Sequence, residues 1–242
     1  MRKLIYVIFI FISVNAFSQE EADSTRNPLK VSGTVSLNSN GIAPIPAFSL
    51  GKPALIAALS LKKNRFSYDP QLSYGLDIRP WIIDNWLHYR VIEKPEFELK
   101  TGFDASMFFS EYKTPDEVIL RGQRYATFEL AGIYKMSRKS SLSFVTWYDR
   151  GLDKGTLIGY FFNLVADRSD ISVGKHLLMD INVQIFYIDY TGKNDGLFIS
   201  PKISSSVRNL PFSITFQAIQ TVNSNISPFP KFRWNLGLAY SF

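Results

Sequence analysis

The amino-acid sequence predicts an all-β fold: a closed, antiparallel, up-and-down β-barrel that crosses a membrane with about twelve strands, ten to fourteen being the range. Three observations predict it. Apolar side chains recur at every second position along nearly the whole chain, the period of a strand rather than of a helix. Within those runs one face carries bulky aromatics while the other carries Gly, Ser, Thr and charge. The connections between runs alternate between short and long.

The elements follow in order. Residues 1–18 read as a cleaved secretory signal. Arg2 and Lys3 form its basic start, Leu4 to Val14 its apolar stretch, and Ala16-Phe17-Ser18 its small-residue end. That apolar stretch falls short of the roughly 20 residues that a membrane helix needs. Residues 19–28 form a short segment before the barrel, which occupies 29–242. The predicted strands are 29–38, 54–62, 66–79, 81–91, 97–110, 123–136, 141–149, 156–167, 177–190, 197–208, 211–222 and 231–242. Most match the roughly 9 to 11 residues that cross a bilayer at a tilt.

The alternation is plainest in the last strand. Phe232, Trp234, Leu236, Leu238, Tyr240 and Phe242 share one face, opposite Arg233, Asn235, Gly237, Ala239 and Ser241. A soluble sandwich or a lipocalin-type barrel would turn such an apolar face inward. Large aromatics on nearly every strand would overfill a small interior, so the face is assigned to lipid. Hydrocarbon satisfies no backbone group, which leaves a closed barrel as the structure that can present it. Tyr74, Trp81, Tyr89, Phe109, Tyr134, Tyr148, Trp234 and Tyr240 lie near strand ends, where interfacial girdles form. With an even strand count both termini share one side, expected to be the periplasm. Four of the five turns on that side are very short, whereas the other side holds the longer stretches 39–53, 111–122 and 223–230.

The final residues, Asn235-Leu-Gly237-Leu-Ala-Tyr240-Ser-Phe242, resemble the C-terminal β-signal of the outer-membrane β-barrel superfamily of Gram-negative bacteria. The pattern is a polar residue, a glycine, an aromatic and a terminal aromatic. The resemblance implies an outer-membrane location, outer-membrane lipid as the surroundings and recognition by the barrel-assembly machinery. It implies no activity.

Composition narrows the function classes. The chain lacks cysteine, which removes disulfides and thiolate metal sites. Net charge falls from +6 to +4 when Arg2 and Lys3 leave with the signal, and the bases are dispersed, so no nucleic-acid footprint is present. A Ser-His site needs the two side chains adjacent on one face. Neither His88 nor His176 has a serine two positions away, and His88 reads as a hydrogen-bonded lumen residue. Asp149 and Asp153 read as rim residues around a Gly-containing turn. No cofactor, metal or catalytic constellation is expected.

By parity the lumen face carries Asp77, Arg79, His88, Arg90, Glu98, Lys100, Asp104, Glu129, Lys135, Asp180, Lys202, Arg208 and Arg233. Acids and bases are nearly balanced there, as in an interior filled by cross-barrel ion pairs. The loop 39–53 is unlike its neighbours, because it has one charge, Lys52, and displays Ile42, Ile45, Phe48 and Leu50. Either part of the loop completes the first hairpin with these residues facing lipid, or they fold over the barrel mouth or meet an unidentified protein partner. The leading functional expectation is a non-enzymatic scaffold or accessory subunit of an envelope complex. The alternative is a narrow channel for small solutes, and a lipid-modifying or proteolytic enzyme ranks last.

Overall fold

A computed structural model describes residues 28–43, 45, 48–227 and 231–242. The expected signal segment 1–18 and nearly all of 19–28 lie outside the described residues. Among the described residues twelve strands form: β1 (Lys30–Asn38), β2 (Ala54–Lys63), β3 (Phe66–Gly75), β4 (Pro80–Glu93), β5 (Phe97–Lys113), β6 (Val118–Ser137), β7 (Ser140–Gly151), β8 (Ile158–Val173), β9 (Leu177–Asp189), β10 (Asp195–Val207), β11 (Phe212–Ser224) and β12 (Phe232–Ser241). Each pairs antiparallel with its sequence neighbours, and β1 pairs with β12 to close the barrel.

The start of β1 and the end of β12 lie at one end, here the near end. Asn64 and Asn209, with φ of 54° and 65°, make tight near-end turns, because the Asn side chain tolerates the left-handed region. Three boundaries differ most from the sequence expectation. β3 stops at Gly75, where Asp77 to Arg79 turn back with Ile78 at φ 66°. The expected loop 111–122 shrinks to 114–117, because Tyr112, Val118, Ile119 and Leu120 are good strand formers and extend the β5–β6 hairpin. β8 continues to Val173 through an irregularity after Arg168 that places Asp170 at φ 52°.

The outer face is the predicted one. Phe232, Trp234, Leu236, Leu238, Tyr240 and Phe242 are all exposed, as are Phe128, Leu130, Tyr134, Phe144 and Phe216 on neighbouring strands. An outward band of large apolar side chains is what a lipid-facing barrel wall presents. Trp81 departs from the girdle expectation, since it is only 1% exposed and sits inside the barrel.

Wall height is uneven. β1, β2, β3 and β12 have nine or ten residues each, whereas β5 and β6 have 17 and 20. The closing seam is the shortest, with Thr34–Asn38 facing Gly237–Ser241. Phe242 prolongs it. Its N–H donates to the Gly33 carbonyl at 3.0 Å, the Gly33 N–H donates back at 2.9 Å, and its ring lies directly over Gly33. A side chain at 33 would displace that ring. We expect Gly33→Val to destabilise the barrel by about 1–3 kcal/mol through overpacking. The check is a lower temperature at which the unboiled, compact gel species converts to the unfolded one in detergent.

Candidate functional site

The inner face is not uniformly polar, and its apolar part lies at the far end. Phe161 on β8, Phe186 and Ile188 on β9, Phe198 on β10 and Ile219 on β11 form a buried cluster with Tyr190. Trp81 and Ile82 on β4, with Ala43 and Ala54, form a second. The described residues of segment 39–53 fill the space between them. Ile45 is buried in the first cluster, Ile42 packs against it, Leu50 packs against the second, and Phe48 touches both. The Phe48 ring stacks on Phe108 at 4.6 Å between centroids and tilts against Tyr125 at 5.3 Å. Trp81 donates its indole N–H to the Phe48 carbonyl at 2.6 Å. The apolar residues of this segment therefore meet the barrel's own inner wall.

The segment is a folded tongue. Gly41 donates to the Lys52 carbonyl and accepts from the Leu50 N–H, both at 2.9 Å. A Cβ at Gly41 would stand 3.0 Å from the Trp81 ring, so the close approach needs glycine. Its first leg is tied to β12, because the Asn235 side chain accepts the Asn40 N–H at 3.0 Å and donates to Asn38 at 2.9 Å. Gly237 leaves room for that Asn38 side chain. Two residues of the C-terminal motif thus have a local structural role as well.

Below the tongue the lumen has two unlike walls. Strands β3 to β7 each contribute one carboxylate: Asp69, Asp84, Asp104, Glu129 and Asp149. Asp104 accepts the Asn85 N–H at 2.7 Å, and Asp149 accepts the Thr127 hydroxyl at 2.7 Å. His88 bridges this wall, with Nδ1 2.8 Å from Asp69 and Nε2 3.5 Å from Glu129. Glu129 also pairs with Lys100 at 3.1 Å and accepts the Trp147 indole N–H at 2.8 Å. Trp86 stacks flat on His88 and meets Trp147 across the lumen. Gly102 admits the imidazole, which a Cβ there would approach to 2.6 Å. The opposite wall is built of amides and hydroxyls, with Asp167 toward its near end accepting the Asn182 amide at 2.6 Å. Asn163 donates to Gln184 at 3.0 Å, Gln184 donates to Asn182 at 2.8 Å, and Gln217 donates to Ser200 at 3.3 Å.

The remaining predicted lumen residues separate to the two ends. Glu98 pairs with Lys135 at 3.6 Å near the near-end mouth. Lys202 lines a near-end cavity of about 260 Å³, beside a larger one of about 610 Å³ lined by Glu96, Lys135, Ser141 and Asp167. Arg208 donates to Ser172 at 2.7 Å in a near-end turn. Arg233 lies at the far end, close to Gly51. Asp77 and Arg79 stand on the far rim, where Lys52 joins them and Glu111. Burial pulls the Lys52 amine down, but its bonds to Asp77 and Glu111 outweigh this and hold it above its ordinary value. The same Lys52 bond holds Asp77 below the usual carboxylate range.

Asp69, Asp84 and Asp149 are the lumen residues that sequence reasoning missed. Asp84 shares parity with Trp86 and His88, and carrying that parity back two residues would have found it. Asp149 is buried in the barrel rather than at the rim, because β7 runs on to Gly151. Asp153 is the rim residue, bound by Arg124 at 2.6 Å. His88 has a carboxylate at each ring nitrogen, so it is placed as a bridge between acids and not as a base for a serine. No group of His, Cys, Asp and Glu among the described residues is arranged to hold a metal ion.

No protein-family model and no curated protein matches the sequence. Solved structures do match. A structure described as KdgM porin has a TM-score of 0.59 at 12% identity, covering 87% of this chain and 99% of that one. The COG4313 outer membrane channel from Pseudomonas putida F1 has a TM-score of 0.54 at 13% identity, covering 93% and 100%. The chain has the outer-membrane β-barrel fold. At these identities the likeness extends to architecture, and the lumen chemistry described above is this chain's own.

Glu129 is the hub of the central network. Replacing it by Ala strands Lys100 and His88, and removing one partner of a buried pair costs about 3–5 kcal/mol. We expect Glu129→Ala to lower the urea midpoint of the micelle-bound protein accordingly. Lys202→Ala, at a half-buried site without an ion pair among the described residues, should shift it by less than about 0.5 kcal/mol.

Proposed function

We propose that this chain is a narrow channel for small solutes across the outer membrane, closed at its far mouth by segment 39–53. One observation carries the reading: the far closure is made by a loop seated between inner-wall clusters, so a displaceable segment blocks the lumen. Open space and charged side chains at the near end lead toward it. The solved structures of similar fold named as a porin and as an outer-membrane channel support this reading over the scaffold expectation, for which no structural feature speaks specifically. The C-terminal motif supports delivery by the barrel-assembly machinery.

The acidic wall sets the expected selectivity. Among the described residues the bases paired with this five-carboxylate wall are Lys100 and His88, and a one-sign field at a constriction favours counter-ions. In planar bilayers the wild-type protein should give small, infrequent conductance steps. Replacing 42–50 by a short Gly-Ser linker should give larger, steady ones. A reversal potential in a KCl gradient should report potassium preference in the truncated barrel, and Asp84→Asn with Asp149→Asn should weaken it. A truncated barrel that is folded by its heat-modifiable mobility yet conducts nothing would rule the channel out.

A further inference from the structure

Segment 39–53 is held in the mouth by two kinds of contact. One is the apolar seat of Ile45 and Phe48. The other is a rim cluster that uses the segment's single charge. Lys52 Nζ lies 2.7 Å from Asp77 Oδ2 and 2.5 Å from Glu111 Oε1. Arg79 spans the same two carboxylates, at 3.9 and 3.3 Å. Three separate elements meet there: the tongue, the β3–β4 turn and the far end of β5. The turn is shaped for the task, since Ile78 between Asp77 and Arg79 adopts a left-handed φ of 66°, uncommon for a β-branched residue.

We propose that Lys52 with Asp77 and Glu111 is a latch, and that residues 48–52 together with Ile45 form a lid whose closed state is controlled by charge at this cluster. The lid geometry stands without the channel reading, on which only the consequence for permeation rests. The bonds from Gly41 to Leu50 and Lys52 brace the two legs into one body, and Asn235 ties that body to β12 at Asn40, so the tongue moves as a unit about that tie when the Lys52 contacts break. Lys52 and Asp77 have side chains about a third exposed, 33% and 39%, so mobile ions reach them and screen the pairs. Arg79 remains beside both carboxylates when Lys52 is removed, which keeps the wall itself paired. Arg233, lying 3.8 Å from the Cβ position of Gly51, is the other charged group against this leg.

The pH sense follows from the directions of the shifts. Asp77 is depressed in the closed state, so its contribution is present above the ordinary carboxylate value and lost as pH falls through the depressed one. Lys52 is raised, so its contribution is full below its ordinary value and lost only as pH rises through the raised one. The latch therefore holds at neutral pH and releases in acid.

The chain lacks cysteine, so a single one reports lid position. In proteoliposomes Ser49→Cys should react slowly with a bulky membrane-impermeant maleimide. Adding Lys52→Ala should speed labelling about fivefold, as expected for partly exposed ion pairs. Raising NaCl to about 1 M, where the Debye length is about 3 Å, should speed Ser49→Cys alone and leave the double variant unchanged. Glu111→Gln should act in the same direction. Equal labelling rates with and without Lys52, in protein that keeps its heat-modifiable mobility, would overturn the latch. Faster labelling with unchanged conductance would uphold the latch and count against the channel.

Discussion

Every backbone N–H and C=O within a bilayer must find its partner inside the protein, and in this chain the demand is met last between β1 and β12. Hydrocarbon offers no substitute, so an open edge at that seam would expose a row of unpaired groups, each costing several kcal/mol. The seam is short, and Phe242 lengthens it with two backbone bonds to Gly33. Glycine at 33 and an aromatic at the chain end are therefore one device: the small residue opens a slot that the terminal ring covers. The same strand carries Asn235 and Gly237, which tie down the tongue. Barrel closure and lumen closure meet on β12.

With the wall closed, the interior becomes a problem of filling. Twelve strands enclose more room than the packed interiors of eight-stranded barrels and less than the channels of sixteen-stranded porins. Here three materials share that room. Aromatic side chains from β4, β7, β8, β9 and β10 reach across the far half, linked ring to ring from Trp86 through Trp147 and Phe161 to Phe198. A carboxylate from each of β3 to β7 lines one side of the middle, and amides and hydroxyls line the other. The tongue occupies what remains at the mouth. A loop can do this only if it is apolar, which accounts for the low charge of 39–53.

Strand number, strand order and the lipid-facing side were legible in the sequence because a period of two survives any small error in strand ends. Strand ends were less legible. Asp149, Gly151 and Asp153 resemble one turn, although β7 carries Asp149 and runs on to Gly151 before the turn begins. The expected strand 66–79 runs through Pro70, and in the structure the β2–β3 register has no paired residues at 69 and 70, since proline gives the ladder no N–H. Asp69 was lost beside it. Trp81 was misplaced because a residue near a strand end resembles a girdle residue from either side of the wall. The charge census appeared balanced because it summed over the whole lumen. Acids gather on one wall of the middle, whereas bases such as Lys135, Lys202 and Arg208 stand toward the near end, and only the pairing of strands reveals that separation. The inward turn of Phe48 and Ile45 depends on apolar and aromatic residues from β4, β5, β6 and β8 to β11, which no local pattern displays.

The uneven wall has a consequence for the lipid around it. Strands of nine or ten residues, as in β1, β2, β3 and β12, match the roughly 9–11 residues needed to cross at a tilt and leave no surplus. β5 and β6 exceed that length by most of a hairpin. Around one arc any hydrocarbon thicker than that match must thin to meet the protein, and around the other it need not, at fractions of a kcal/mol per Å of mismatch. In such a bilayer the lipid annulus is thinner where the chain closes on itself and where the tongue is rooted. A bilayer of greater thickness would press first on that arc, so the lipid itself becomes a lever on the seam that holds the molecule shut.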